Sequence, residues 1–235
     1  MAAAPTPRTP RVGAVLRGDA ERVTSLELFF DLVFVLAITQ CTALMAADPT
    51  WTGLGKGALV LGVLWWAWVG YAWLTSVVDP EEGVVRIVIF AAMAAMLVVA
   101  LAVPTAFGDG GVVLAGAYLA VRVGQIGLFL VASRDDPALR RSVIGLAVGT
   151  AVGTGLLLAA ALLPEPWKAV LWTVALALDV AGPFVFGSEG WTLVPGHFAE
   201  RHGLIVLIAL GESIVAIGAG VDLGVGAAVV AAGVL

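Results

Sequence analysis

The sequence predicts an all-α, polytopic bundle of transmembrane helices, and three observations lead to that fold class. Of the 235 residues, 61% are hydrophobic and only 12% are charged, about half the charged fraction of an ordinary soluble domain. The mean hydropathy is +1.05. The apolar residues also form long runs, and roughly 20 helical residues are enough to cross a bilayer. We therefore expect the lipid bilayer to be the main surrounding of this chain.

Seven runs have the length of a membrane span, and turn-forming or charged residues separate each run from the next. The predicted spans are 25–46, 57–78, 84–104, 111–132, 142–163, 167–187 and 202–221. The separating segments include "DPEEG", "FGDGG", "LPEP" and "SEGWTLVPGHFAER". A last apolar piece, 225–235, has about half the necessary length, so we expect a truncated eighth span or a short re-entrant tail. Residues 1–24 predict a flexible cytoplasmic arm, and residues 25–235 a single transmembrane domain.

The basic residues predict which way the chain is threaded through the membrane. Nine of them fall before the first span or in the segments that share its side, whereas two fall on the opposite side. Cytoplasmic loops carry the excess of Lys and Arg, so the N-terminus is expected in the cytoplasm. The nine are Arg8, Arg11, Arg17, Arg22, Arg86, Arg134, Arg140, Arg141 and Arg201, and the two are Lys56 and Lys168.

Several function classes are excluded by what the sequence lacks. Its one cysteine, Cys41, lies in an apolar run and has no second cysteine with which to form a disulfide. No Gly-rich loop follows a strand, and no basic patch exists beyond the topogenic arginines, so nucleic acid is not expected as a partner. No organic cofactor is predicted, and a divalent cation is kept as an alternative.

Charged and polar side chains inside the predicted spans are the main functional signal. A charge near the bilayer centre costs about 2.5–3.5 kcal/mol on insertion scales, so such residues face the bundle interior and are candidates for function. Glu27 and Asp31 lie four residues apart, on one face of the first helix. The complete candidate set from the spans is Glu27, Asp31, Arg122, Gln125, Asp179, His202 and Glu212.

Four acids in that set face one arginine and one imidazole. Arg122 can neutralise one carboxylate, and the remaining acids must bind a proton or a cation, because an unpaired buried carboxylate is too costly. We expect these residues to form one cluster in the cytoplasmic half of the bundle. His197 is interpreted as a surface or capping residue in the loop before the seventh span.

Aromatic and small residues add two further expectations. Trp65 and Trp66 lie near the middle of the second span, where they either belong to an interfacial belt or line an internal cavity. Gly145, Gly149 and Gly153 share one face of the fifth span, a spacing that lets helix backbones approach closely. This glycine face is the candidate surface for a homo-oligomer.

Five stretches resemble one known family in the order in which that family has them. They are "ELFFDLVFV", "DPEEGVVRIVIF", "YLAVRVGQI", "LDVAGP" and "HFAERHGLIVLIALGESIVAIG". These motifs resemble the bacterial low temperature requirement protein A family, between about residue 20 and residue 220. The resemblance implies a polytopic protein of the bacterial inner membrane that is linked to growth in the cold. It implies no particular chemistry.

Three functions remain open at this stage. The first is a proton- or cation-coupled transporter of a small molecule or ion, with the buried acids as relay, Arg122 as counter-ion and the Trp residues beside the substrate. The second is a membrane enzyme for a lipid or polyprenyl-type substrate, with a divalent cation held by Glu27, Asp31 and Glu212. The third is a structural or accessory protein whose buried ion pairs fix helix packing.

Overall fold

The structure, a computed structural model, describes residues 22–187 and 189–220. Within these ranges the chain forms seven α-helices, and all seven are long and apolar enough to cross a membrane. The predicted all-α class and the seven spans are thereby confirmed. Most of the predicted arm and the partial span 225–235 lie outside the described residues. The helices are α1 Ser25–Ala47, α2 Trp51–Val77, α3 Gly83–Ala102, α4 Gly111–Ala132, α5 Pro137–Leu162, α6 Trp167–Phe186 and α7 Pro195–Gly220.

Three helices begin well before the apolar run that predicted them. The starts of α2, α5 and α7 come at Trp51, Pro137 and Pro195, instead of 57, 142 and 202. Local capping explains α5, because Oδ1 of Asp136 accepts from the backbone N–H groups of Ala138 and Leu139, and Pro137 suits the first helical position. Hydropathy follows lipid contact, whereas helix length follows backbone hydrogen bonding, so the two boundaries differ.

The second helix lies at the centre of the bundle. It packs against α1, α4, α6 and α7. The other two helices pack mainly elsewhere: α3 packs against α1 and α4, and α5 packs against α4 and α6. Its inward side carries large side chains that are fully buried, among them Trp68, Tyr71 and Leu74. The outer sides of the surrounding helices are apolar and exposed, as expected for contact with lipid. Every candidate residue described below faces α2 or lies near it, apart from Glu212.

The two ends of the bundle differ in their charged residues. At the end where α1 and α7 begin, Arg86 lies in the first turn of α3 and Arg134 in the turn before α5. At the opposite end, Nζ of Lys56 forms an ion pair with Glu165 at 2.7 Å, and Nζ of Lys168 donates to the carbonyl oxygen of Phe107 at 2.7 Å. Among the residues that the structure describes, the counted basic residues thus lie at the two ends of the bundle to which the sequence assigned them, and Arg201 differs from the others in being buried.

The glycine face of α5 is occupied within the chain itself. Gly145, Gly149 and Gly153 are all buried, and a Cβ at Gly153 would lie in ordinary contact with Ala175 and Asp179 of α6. Small residues here bring α5 and α6 together. The face predicted for a homo-oligomer is thus buried within the single chain, and a homo-oligomer itself stays a prediction.

Candidate functional site

Two acidic side chains of α1 meet two basic side chains of α7 where both helices begin. Nε2 of His197 lies 3.1 Å from Oε1 of Glu27, and Nη2 of Arg201 contacts Oδ1 of Asp31. Nη1 of Arg201 is also 3.9 Å from Oε1 of Glu27. All four side chains are buried, and none is more than 4% exposed. We call these four residues the α1–α7 charge group.

The pairing follows from matched spacing on two helices that run in the same direction. Glu27 and Asp31 are four residues apart on α1, and His197 and Arg201 are four residues apart on α7. Residues at this spacing lie one above the other on a helix face. Two acid–base pairs therefore align, with Glu27 opposite His197 and Asp31 opposite Arg201.

The central helix α2 completes the surroundings of Asp31 and Arg201. Nε1 of Trp68 donates to Oδ1 of Asp31 at 2.7 Å, and Nη1 of Arg201 donates to Oγ1 of Thr75 at 2.8 Å. The guanidinium carbon of Arg201 lies 5.6 Å from the centre of a Trp68 ring, within cation–π range. Oδ1 of Asp31 thus receives two donors, whereas its buried Oδ2 has no hydrogen-bond partner among the described residues.

The first turn of α1 holds Glu27 in place. Thr24 and Glu27 form a capping box, in which Oγ1 of Thr24 accepts from the Glu27 N–H at 3.3 Å. In return, the backbone N–H and the hydroxyl of Thr24 donate to Oε2 of Glu27, at 2.9 and 3.1 Å. The same carboxylate therefore caps its own helix and faces α7. Its position depends on where α1 begins.

A second buried group is centred on Arg122 of α4. Nη1 donates to Oε1 of Gln125 at 2.8 Å, while Nη2 donates to Oγ1 of Thr150 at 2.8 Å and to Oδ1 of Asp179 at 3.2 Å. The hydroxyl of Tyr118 lies 3.4 Å from the other oxygen of Asp179. We call these five residues the Arg122 group. It joins α4, α5 and α6 through one neutral ion pair.

A cavity of about 200 Å³ lies beside the Arg122 group. Arg122 and Gln125 contribute its polar part, and most of the remaining wall is aromatic or aliphatic. The loop between α6 and α7 supplies part of that wall, since Trp191 stacks edge-on against Trp73 and Phe129, with ring centres 5.6 and 4.9 Å apart. The lining residues are Trp66, Val69, Gly70, Trp73, Arg122, Gln125, Phe129, Leu146, Pro183 and Trp191.

That loop is fixed to the bundle by backbone contacts. Nε1 of Trp73 donates to the carbonyl oxygen of Thr192 at 2.7 Å, and Oγ of Ser142 donates to the carbonyl oxygen of Glu189 at 2.9 Å. Gly190 has a φ of 79° and lies so close to Leu139 that a Cβ there would meet the Leu139 backbone. Glycine is required at this position for both reasons.

The predicted acidic cluster is divided into two groups. Arg122 pairs with Asp179 and Gln125, which both belong to the predicted set, whereas Asp31 meets the guanidinium of Arg201, which does not. Arg201, interpreted from sequence as a topogenic loop residue, is fully buried in α7. His197, interpreted as a surface or capping residue, is also buried and faces Glu27. The extended start of α7 explains both errors, because it places these two residues on the inward face of a helix.

The predicted role of Glu212 is not supported by its position. It lies eleven residues beyond Arg201 on α7, about 16 Å along the helix axis, and its side chain is partly exposed. In the described ranges, no three His, Cys, Asp or Glu side chains come together in a way that could hold a metal ion. The alternative metal set of Glu27, Asp31 and Glu212 is therefore not assembled, and the enzyme hypothesis loses the ligands that it required.

The remaining predicted site residues occupy different surroundings. Trp66 lines the cavity, whereas Trp65 is 38% exposed and packs against the rings of Trp68 and His202. His202 is half-buried, with its ring 4.7 Å from that of Trp68 and its Nδ1 2.8 Å from the carbonyl oxygen of Phe198. His202 thus packs beside the α1–α7 charge group and forms no ion pair with any residue that the structure describes.

Sequence reasoning missed the basic half of the first group, although the sequence contained two signals for it. Pro195 is a typical first residue of a helix, which would have extended α7 to include "GHFAER". The spacing of His197 and Arg201 then matches that of the acids on α1. The sequence held no comparable signal for the neutral residues of the two groups and the cavity, because only helix packing brings them to the charged residues. These residues are Trp68, Thr75, Thr150 and Trp191.

Seven membrane-length helices with charged side chains buried between them define a multi-pass integral membrane protein. Residues 22–235 match the family described as bacterial low temperature requirement A protein, and the chain belongs to that family. It is also 33% identical over 210 residues to an uncharacterised protein of Rhizobium meliloti strain 1021. That match covers 85% of this chain and 51% of the relative, so the chain spans about half the length of the curated relative it matches. No solved structure matches the chain.

Proposed function

We propose that this protein is a proton- or cation-coupled transporter in which the α1–α7 charge group is the coupling site. The group contains two carboxylates, one guanidinium and one imidazole, all buried. With a neutral imidazole its net charge is −1, and burying an uncompensated charge is costly. Binding one proton or one monovalent cation removes that charge. The group is therefore able to exchange a cation with water as part of a transport cycle.

One observation carries this proposal, the unpartnered Oδ2 of Asp31. Oδ1 of the same carboxylate accepts from Trp68 and Arg201, yet Oδ2 is buried without a hydrogen-bond partner in the described part of the chain. A carboxylate oxygen in that state is an acceptor for a proton or a cation. Nδ1 of His197 is buried and unpartnered in the same way, so it offers a second atom that can exchange a proton.

The location of the group fits access from one side of the membrane. Glu27 and His197 lie in the first turns of α1 and α7, at the end of the bundle that carries most of the basic residues. By the positive-inside rule this end faces the cytoplasm. We propose the bacterial cytoplasmic membrane as the location, with exchange between the charge group and the cytoplasm.

The experiment that tests the proposal is ion uptake in proteoliposomes. The purified chain is reconstituted with a pH-sensitive dye inside, a potassium diffusion potential is imposed, and a mixture of monocarboxylates, amino acids and sugars is added outside. Parallel samples with an internal sodium-sensitive dye test the cation alternative. We expect uptake by the wild type and a loss of at least about tenfold in Asp31→Asn, because that change removes the ionisable oxygen.

Glu212→Gln is the matched control, since it also replaces one acid of a membrane-spanning helix by its amide but lies outside the charge group. It should retain the wild-type rate. Uptake equal to that of protein-free liposomes would show that the protein is not a transporter of these solutes. Wild-type uptake by folded Asp31→Asn would exclude Asp31 from coupling.

A structural role is the second candidate, and the contacts of Arg201 with two neighbouring helices favour it. Arg201 contacts Asp31, Glu27 and Thr75, all on neighbouring helices, which would fix the position of α7. Such ion pairs can set register without any transport. In that case Asp31→Asn lowers the free energy of unfolding but leaves uptake per folded molecule unchanged. Measuring both quantities on one preparation separates the two candidates.

A further inference from the structure

We propose that the cavity beside Arg122 binds a small carboxylic acid with an apolar, ring-sized body. This inference rests on the proposed transport function and names the class of solute for it. The cavity has one polar end, formed by Arg122 and Gln125, and its other walls include three indole rings and one phenyl ring. A ligand that matches it needs acceptor atoms at one end only.

The guanidinium of Arg122 has donors left over after its contacts within the chain. Arginine has five N–H donors, and three are used by Gln125, Thr150 and Asp179. Its Nε is buried and has no hydrogen-bond partner among the described residues. Because Arg122 is only 1% exposed, solvent does not supply that partner either. A buried donor without a partner is costly. A carboxylate oxygen in the cavity would satisfy it with a charge-assisted hydrogen bond.

The size of the cavity selects a small solute over a lipid. Its volume of about 200 Å³ is below the usual range of ~300–1,000 Å³ for drug-sized ligands. It is slightly larger than the ~150 Å³ cavity that is known to take benzene. A single ring with a carboxyl group therefore fits, whereas an acyl chain with a headgroup does not.

The wall formed by α6 has a feature that is common at membrane substrate sites. Pro183 lies inside α6 and lines the cavity. Proline has no N–H, so the helix cannot hydrogen-bond to the carbonyl oxygen of the residue four positions earlier, which is Asp179. Although α6 continues to Phe186, the carbonyl oxygen of Asp179 thus loses its usual helical donor beside the Arg122 group.

Charge balance links this site to coupling. Arg122 and Asp179 are neutral together, so a bound carboxylate adds one negative charge to the bundle interior. A proton taken up with the solute would cancel it. The solute class and the coupling ion are then explained by the same requirement for neutrality.

The test is binding to the full chain in lipid nanodiscs, measured by isothermal titration calorimetry. Benzoate is the probe, benzyl alcohol has the ring without the carboxyl group, and acetate has the carboxyl group without the ring. We expect benzoate to bind at least about tenfold more tightly than either, since one charge-assisted hydrogen bond and the ring contacts each contribute that much.

Two variants assign binding to the cavity. Val69→Phe fills it and leaves the contacts of Arg122 intact, and Arg122→Gln combined with Asp179→Asn removes the guanidinium while keeping the interior neutral. Each should weaken benzoate binding by at least about tenfold. Val206→Phe, an equal enlargement at an exposed position of α7, is the control and should bind as the wild type does.

The inference is overturned if wild type binds no benzoate, if benzyl alcohol binds equally well, or if Val69→Phe binds as the wild type does. Failure of the transport function gives a different result, which is benzoate binding that depends on the cavity but no ion uptake in proteoliposomes. Uptake driven by another solute, without benzoate binding, would instead keep transport and reject this site.

Discussion

The burial of two carboxylates depends on the positive charge of Arg201. It contacts Asp31, approaches Glu27 and donates to Thr75, all without exposure to solvent or lipid. A buried pair contributes little net stability compared with an apolar pair of the same shape, but breaking it by removing one partner is expensive. The residue is therefore best tested by single and double substitution together.

We predict that Arg201→Met lowers the free energy of unfolding by about 3–5 kcal/mol, because it leaves Asp31 buried without its cation. The double variant Arg201→Met with Asp31→Leu should recover most of that loss. Denaturation in mixed detergent micelles gives both values. Arg141→Met, which affects an exposed ion pair with Glu189 at 4.0 Å, is the control and should not change stability measurably. Equal losses in the single and double variants would contradict the account.

The indole of Trp68 makes a separate prediction at this scale. Trp68→Phe keeps an aromatic ring in place but removes the N–H that donates to Asp31. Because a hydrogen bond to a charged group contributes about 1.5–3 kcal/mol, we expect a loss of unfolding free energy in that range. Trp65→Phe, at a neighbouring and more exposed ring that packs against Trp68, should change stability much less. Equal effects of the two substitutions would mean that ring packing, and not the hydrogen bond, is what matters at Trp68.

At the scale of single helices, α2 connects the charged group of α1 and α7 to the cavity. One part of its inward surface carries Trp68 and Thr75, which contact the charge group. Another part carries Gly70, which lies so close to Gln125 that a Cβ there would overlap the amide nitrogen. The absence of a side chain at Gly70 therefore allows Gln125 to stay within reach of Arg122.

We predict that Gly70→Ala displaces Gln125 from Arg122 and costs on the order of 1–3 kcal/mol of unfolding free energy, the range for forced repacking in a tight core. Gly55→Ala is the matched control on the same helix, because a Cβ at Gly55 meets no atom within 4 Å. That change should leave stability unchanged or raise it, since alanine favours helix more than glycine does. A neutral effect of Gly70→Ala would mean that Gln125 relocates freely.

Helix number and order could be predicted from sequence, whereas the pairing of charged residues could not. Hydropathy located all seven spans because each crosses the lipid, and lipid contact is what hydropathy measures. It placed the start of α7 seven residues too late, since "GHFAER" is polar and only His197 and Arg201 of it are buried. The acids Glu27 and Asp31 were found because they interrupt an apolar run. Their partner Arg201 lies just outside such a run and was interpreted as a loop residue.

At the scale of the whole molecule, the direction of threading is a prediction that follows from the basic residues. Removing Arg201 from that count, because it is buried, still leaves eight basic residues at the predicted inner side against two. The positive-inside rule depends on residues in short loops, so a buried arginine does not belong in the count, and the expected orientation is the same without it.

We predict that a cysteine at Asp135 is labelled from the cytoplasm and a cysteine at Asp109 from the outside. Both positions are exposed, and they lie at opposite ends of α4. The native Cys41 is buried, and Cys41→Ser gives a background without thiols. A membrane-impermeant maleimide applied to intact spheroplasts should then react with Asp109→Cys alone, and with both variants after permeabilisation. The reverse order of labelling would invert the orientation.

The matched spacing of charges on α1 and α7 limits how α7 can move along α1. Four residues of helix correspond to about 6 Å of travel. Displacement of α7 by that amount towards the start of α1 brings Arg201 opposite Glu27, so one strong attraction is recovered. A displacement of half that length leaves Arg201 between the two carboxylates and matched to neither. Sliding of α7 would therefore occur in discrete steps of one turn, with well-separated resting positions, as in other one-turn helix shifts.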